Sequence, residues 1–219
     1  PTQNGGTRVA RAKMTHYFDY KSPYAYLAQE ATYQLAQDFD IEIDWLPLTL
    51  HIPSFLGSAE VDATGKVISE QRNAHQWRRV KYSYMDCRRE ANRRGLVIRG
   101  PQKIFDSSIA HIGMLYAKRQ GDFRAYHDTV YERFWRRELD IENPEVVKQV
   151  LTEVGVDASG FVDYLNGAGR QEHARVSAAA EDSGVFGVPS YVLNGELFWG
   201  AERIGLVRER LADATRGPQ

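Results

Sequence analysis

YFDYKSPYAYLA, residues 17–28, changes its period in the middle. From Met14 to Tyr20 aromatic and polar residues alternate over a short span, which predicts a strand. Lys21-Ser22-Pro23 breaks that period, and a helix is expected from Pro23 to Asp38. Serine suits the N-cap because its hydroxyl accepts from an N–H of the first turn, and proline suits the first helical position, where no N–H is needed. Ile41-Glu42-Ile43-Asp44-Trp45-Leu46 then alternates cleanly and stops at Pro47, a second strand with one half-buried face. A β-α-β unit normally forms two parallel strands joined by a right-handed crossover.

Working outward, residues 48–68 carry Pro, Gly and Ser and few long apolar runs, and predict an irregular loop. From Ser69 to Arg94 the chain is polar and basic, with Trp77, Val80, Tyr84 and Cys87 at three- or four-residue steps, the spacing of an amphipathic helix. A short extended piece at Val97-Ile98-Arg99 precedes helical patterns at 106–119, 122–137, 144–154, 158–166 and 170–182. Asn143 and Pro144 fit a cap and a first helical turn. Two apolar runs, Ser190–Leu193 and Glu196–Trp199, flank Asn194-Gly195, the signal of a two-residue hairpin turn. A last helix is expected from Glu202 to Ala214.

The 219 residues suffice for a real core without disulfides. Lysine and arginine number 28 against 29 acidic residues, so no bulk charge favours nucleic acid. Cys87 is the single cysteine, which excludes an intrachain disulfide and the dithiol route of thiol–disulfide exchange. Within the long helix it reads as a packed, inert thiol. The six histidines show no ligand spacing, and no metal is expected. No apolar run is long enough for a membrane span, and the opening PTQNGGTRVARAK lacks the apolar stretch of a secretory signal, which makes a cytoplasmic protein the expectation.

Taken alone, Ser22-Pro23 is a helix cap, and Val188-Pro189 is an ordinary trans proline starting an edge strand. Together they resemble something more specific. YFDYKSPYAYLA at 17–28 and GVFGVPSYVLNGELFWGAERI at 184–204 are similar to the first strand–helix junction and the cis-proline hairpin of the 2-hydroxychromene-2-carboxylate isomerases and kappa-class glutathione transferases, relatives of DsbA. In that family Ser-Pro-Tyr stands where DsbA has its first cysteine. The resemblance implies an α/β thioredoxin-like fold, β-α-β … β-β-α, with a large all-helical insertion. Residues 14–65 and 184–215 would form the thioredoxin-like domain and 66–183 the helical one.

For the site, the resemblance implies that Ser22 donates a hydrogen bond to the thiolate of glutathione or another low-molecular-weight thiol. A cis Val188-Pro189 would leave the Val188 backbone free to pair with a peptide-like cofactor. Ala201 and Glu202 would receive the γ-glutamyl end, with Glu202 one methylene longer than the usual Asp; Glu202 also suits the positive end of the last helix. KYSYMDCRREANRRG at 81–95 matches the family's cavity segment only in part, with Tyr82 in place of Trp and Arg88 in place of an acid. Tyr84 is its one candidate for substrate contact, and an amphipathic core tyrosine is the alternative. Asp106-Ser107-Ser108 departs from the family's cavity-facing loop and also reads as a helix cap.

The activity so implied is a thiol-dependent isomerase acting on a small aromatic α-keto acid, in a homodimer. A kappa-like glutathione transferase and a non-redox thioredoxin-fold binding module are the alternatives. Neither nucleic acid nor membrane is among the expected partners.

Overall fold

A computed structural model describes residues 13–121 and 123–216. The opening residues 1–12, where no secretory signal was expected, and residue 122, the expected start of one helix, lie outside the described residues.

Strand β1 (Lys13–Phe18) is followed by helix α1 (Pro23–Phe39) and strand β2 (Glu42–Pro47), with β1 and β2 parallel. Ser22 caps α1, its hydroxyl accepting from the Ala25 N–H at 3.2 Å, and Asp40 ends the helix in the left-handed conformation, φ 48°. After a short helix α2 (Pro53–Leu56) come β3 (Ser58–Val61) and β4 (Val67–Gln71), an antiparallel hairpin of its own. This corrects two expectations: residues 48–68 are not an irregular loop but hold α2, β3 and the start of β4, and the long helix α3 (Ala74–Arg93) starts after Ser69–Gln71 have paired as strand. Asp62 Oδ1 closes the turn by accepting from the Thr64 and Lys66 N–H groups, and Asn73 and Gln76 form a reciprocal cap that fixes the start of α3. The expected boundary between residues 65 and 66 falls between the two hairpin strands.

Helices α4 (Ser108–Arg119), α5 (Phe123–Trp135), α6 (Pro144–Glu153), α7 (Phe161–Asn166) and α8 (Ala168–Asp182) follow, and Val97–Arg99 joins no strand. The chain then returns to the sheet with β5 (Ser190–Leu193) and β6 (Glu196–Trp199), joined by Asn194 and Gly195 at φ 51° and 79°. Those positive φ values are the reason for Asn-Gly here. A 3₁₀ turn (Ala201–Arg203) leads into α9 (Ile204–Arg216).

The four-stranded sheet has the order β2-β1-β5-β6, with β5 antiparallel to both β1 and β6. Met14, Tyr191, Leu193 and Phe198 of the sheet pack with Leu35 of α1 and Val207 and Leu211 of α9. A larger core runs from Tyr17, Phe18 and Tyr20 into Tyr126, Tyr131 and Trp135 of α5, so the helical block and the sheet share buried aromatic surface. Each such ring removes roughly 150–250 Å² from water, which locks the end of β1 against α5.

Candidate active site

The period break at Lys21-Ser22-Pro23 becomes a corner. Beyond Phe18, Asp19 and Ser22 close a turn, the Ser22 N–H donating to the Asp19 carbonyl at 3.0 Å. Ser22 is 8% exposed. Because Pro23 has no N–H and the Ala25 N–H is engaged by Ser22 Oγ, the Tyr24 N–H is the donor at the positive end of a 17-residue helix. The Ser22 hydroxyl accepts from Ala25 and keeps its own proton to donate.

Strand register brings the second motif to the same corner. Tyr17 pairs with Ser190 and Ser190 with Trp199, so Pro189, one step further, stands beside Phe18 at the end of the sheet where α1 begins. The Val188–Pro189 bond is cis, and the Pro189 carbonyl accepts from the Gly200 N–H at 2.9 Å. Gly200 sits at φ 109°, and a Cβ added there would fall 2.5 Å from both carboxylate oxygens of Glu202. The exposed Glu202 carboxylate therefore folds back over Gly200, on the 3₁₀ turn that also holds the half-buried Ala201. A cleft of about 290 Å³ has Tyr24, Leu27 and Ala28 of α1, Asp86 and Arg94 on the α3 side, and Ala201 among its walls.

Tyr84 lies apart from this arrangement. Its ring faces the Arg88 guanidinium at 5.7 Å and Trp135 at 6.5 Å and lines the approach to Gly100; burial pushes its hydroxyl up to about 12. Cys87 is buried, and burial pushes its thiol up to about 12, which leaves it protonated at neutral pH. Among the described residues no group of three or more His, Cys, Asp or Glu side chains could hold a metal ion.

Directly beneath Ser22 is a buried polar knot that motif reading did not find. The Asp19 carboxylate, fully buried, takes the Lys21 ammonium at 2.9 Å, the Ser107 hydroxyl at 2.6 Å and the Lys21 and Leu50 N–H groups at 3.1 and 2.8 Å. Lys21 also donates to Ser107 at 3.0 Å. His111 Nε2 lies 3.3 Å from Asp19 Oδ1, and Thr49 Oγ1 lies 2.8 Å from His111 Nδ1 and 2.9 Å from His173 Nε2. Burial opposes the Asp19 charge, yet Lys21, His111 and Ser107 outweigh it and hold the carboxyl below its usual range. Burial lowers His111 against the opposing pull of Asp19, and burial with the neighbouring His111 and Arg170 lowers His173 to about 4, which leaves the His173 ring neutral at pH 7.

Ser107 stands at the start of α4 as the sequence suggested, but its hydroxyl is diverted to Asp19 instead of capping the helix. Asp106 makes the local turn, accepting from the Ser108 N–H at 2.9 Å. The local signs of the knot were Asp19 and Lys21, opposite charges two positions apart in a run of aromatic residues.

The DSBA-like thioredoxin domain profile matches residues 13–212. A 2-hydroxychromene-2-carboxylate isomerase from Pseudomonas putida is 28% identical over 204 residues, covering 91% of this chain and 94% of the relative. One from Sphingobium xenophagum is 25% identical over 198 residues, covering 90% and 96%. Among solved structures, a 2-hydroxychromene-2-carboxylate isomerase superposes with a TM-score of 0.73 at 24% identity, covering 93% of this chain and 96% of the other. A probable DsbA oxidoreductase from Streptomyces coelicolor reaches the same TM-score at 19% identity, covering 95% and 92%. At those identities the two structures speak to the fold alone.

Proposed function

The chain belongs to the DSBA-like thioredoxin domain family, and from that premise we propose that it is a thiol-dependent isomerase of small aromatic α-keto acids, resembling its relatives named 2-hydroxychromene-2-carboxylate isomerase. The observation that carries the reading is the placement of the Ser22 hydroxyl and the α1 N-terminus beside a cis Val188–Pro189 loop. With one cysteine, far along the chain and protonated, the site has serine chemistry where a redox pair would need two thiols.

The residues present suit a peptide thiol such as glutathione. The Ser22 hydroxyl has a proton to donate to sulfur, the helix end favours an anion, and the cis loop can offer the Val188 backbone to an extended peptide. Ala201 and Glu202 supply a turn and a carboxylate for an amino terminus, and the cleft along α1 supplies room. When bound, the thiol supplies a nucleophile whose reversible addition to the conjugated carbon–carbon double bond allows that bond to rotate. The protein's share is to hold the sulfur as an anion through the Ser22 hydroxyl and the helix end, to orient the cofactor on the cis loop, and to fix the reacting pair in one geometry.

A kappa-like transferase would use the same thiolate cradle, and mass balance separates the two. The isomerase reading expects full recovery of free thiol after many turnovers; one thioether formed per substrate consumed would sink it. A binding module would show neither, and the absence of any thermal stabilisation by millimolar thiol would favour it. A homodimer in the cytoplasm completes the proposal, with light scattering as the check on its size.

A further inference from the structure

Two aromatic rings at the active-site end of the sheet lie outside the buried clusters and leave much of their surface in solvent. Phe186 is 66% exposed and Trp199 is 51% exposed, and their ring centres are 4.8 Å apart at 55°. Trp199 ends β6 opposite Ser190, which in turn faces Tyr17, so its row is the last full row of the sheet before the Ser22 corner. Its neighbour along the strand, Phe198, points to the opposite face and is buried with α9. The indole rests on the backbone that enters the cis bond: a Cβ added at Gly187 would lie 2.7 Å from Trp199 Nε1. Phe186, Gly187 and the cis Val188–Pro189 bond are consecutive, so the aromatic pair stands directly against the loop assigned to the cofactor.

Resting on the thiol-isomerase reading, we propose that Phe186 and Trp199 form the face that receives the aryl group of the substrate and thereby select aryl over alkyl 2-oxo acids. The arrangement suits one ring. An aromatic side chain carries roughly 150–250 Å², so these exposures leave on the order of 200 Å² to cover, well under the roughly 800 Å² per partner of a stable protein interface. Two rings tilted to each other present one face and one edge, the two orientations in which a third ring packs favourably. Neither ring belongs to a buried cluster, so removing either changes binding without opening the core.

The test uses the whole chain and trans-cinnamate, an aryl acid lacking the 2-oxo group, as a probe of binding without turnover. Saturable quenching of tryptophan fluorescence is expected and is lost in Trp199→Phe, which isolates the signal from Trp45, Trp77 and Trp135. Phe186→Ala and Trp199→Leu are each expected to weaken probe binding about tenfold, measured by equilibrium dialysis. In turnover they raise KM for an aryl substrate about tenfold with kcat within about twofold, and leave an alkyl unsaturated 2-oxo acid and thiol affinity unchanged. Unchanged probe affinity in both variants overturns the assignment, as does a shift from dimer to monomer in both, which would make the pair a subunit contact. If wild type binds cinnamate through these rings but no thiol, the aryl face stands and the thiol reading falls.

Discussion

Ser22 has two unlike neighbourhoods. On one side Asp19 is fully buried, with its carboxylate engaged by the Lys21 ammonium and N–H, the Ser107 hydroxyl and the Leu50 N–H. On the other, Phe186 and Trp199 pack on each other and on the Gly187 backbone before the cis loop and leave much of their surface to solvent. A group whose partners are complete can hold geometry and has nothing left to offer a ligand; a group left exposed at the same corner costs little to fold and keeps its surface for binding. The knot ties the residues after β1 to the start of α4 and to Leu50, and the aromatic rim faces solvent.

The largest expected effect comes from breaking the knot. Asp19→Ala leaves the Lys21 ammonium buried without its carboxylate and should cost about 3–5 kcal/mol in denaturant unfolding. Asp19→Asn with Lys21→Met should recover a good part of that loss, because no uncompensated charge remains. Additive losses in the double variant would show that the two residues act separately.

Acid probes the buried and half-buried histidines as a set, two of the knot and two outside it. Burial, opposed by a hydrogen bond to the Ser190 carbonyl, lowers His16 to about 3, and burial lowers His127 well below its usual value. With His111 and His173 also lowered, the unfolded chain binds more protons than the folded one below about pH 6.5. Stability should therefore fall as pH drops from 6.5 toward 4, and fall further below pH 4 as Asp19 loses its own contribution. His16→Phe, which keeps a ring beside Trp45 and Tyr191, should flatten the slope of melting temperature between pH 6 and pH 4. An unchanged slope would remove His16 from the account.

These two regions also differ in how much of them a sequence can announce. Ser22-Pro23, Asn143-Pro144 and Asn194-Gly195 make their bonds within three residues, so the sequence carries the whole interaction and its reading agrees with the structure. The knot joins Asp19, Thr49, Ser107, His111 and His173, which only the finished fold brings together. Ser107 shows the difficulty well: its sequence neighbourhood favours a cap, and a partner 88 positions away takes the hydroxyl instead. The β3–β4 hairpin was missed for another reason. Every residue of β4 is exposed, so no face of it alternates toward a core, and the Asp-Ala-Thr-Gly turn is its only mark.

Smaller effects sharpen the rim. Gly200→Ala forces a side chain into φ 109° and against the Glu202 carboxylate, and should cost about 1–2 kcal/mol while weakening thiol affinity. Tyr84→Phe should change KM less than about twofold, since the ring packs on Arg88 and Trp135; a tenfold rise would place its hydroxyl on the substrate.

Whether the Ser22 hydroxyl holds a thiolate at the start of α1 is read by ultraviolet titration of the glutathione complex across pH. Wild type should show thiolate absorbance at neutral pH, and Ser22→Ala should raise the midpoint by about one to two pH units, the worth of one hydrogen bond to a charged group. Superimposable titrations of a bound thiol in the two proteins would contradict the account.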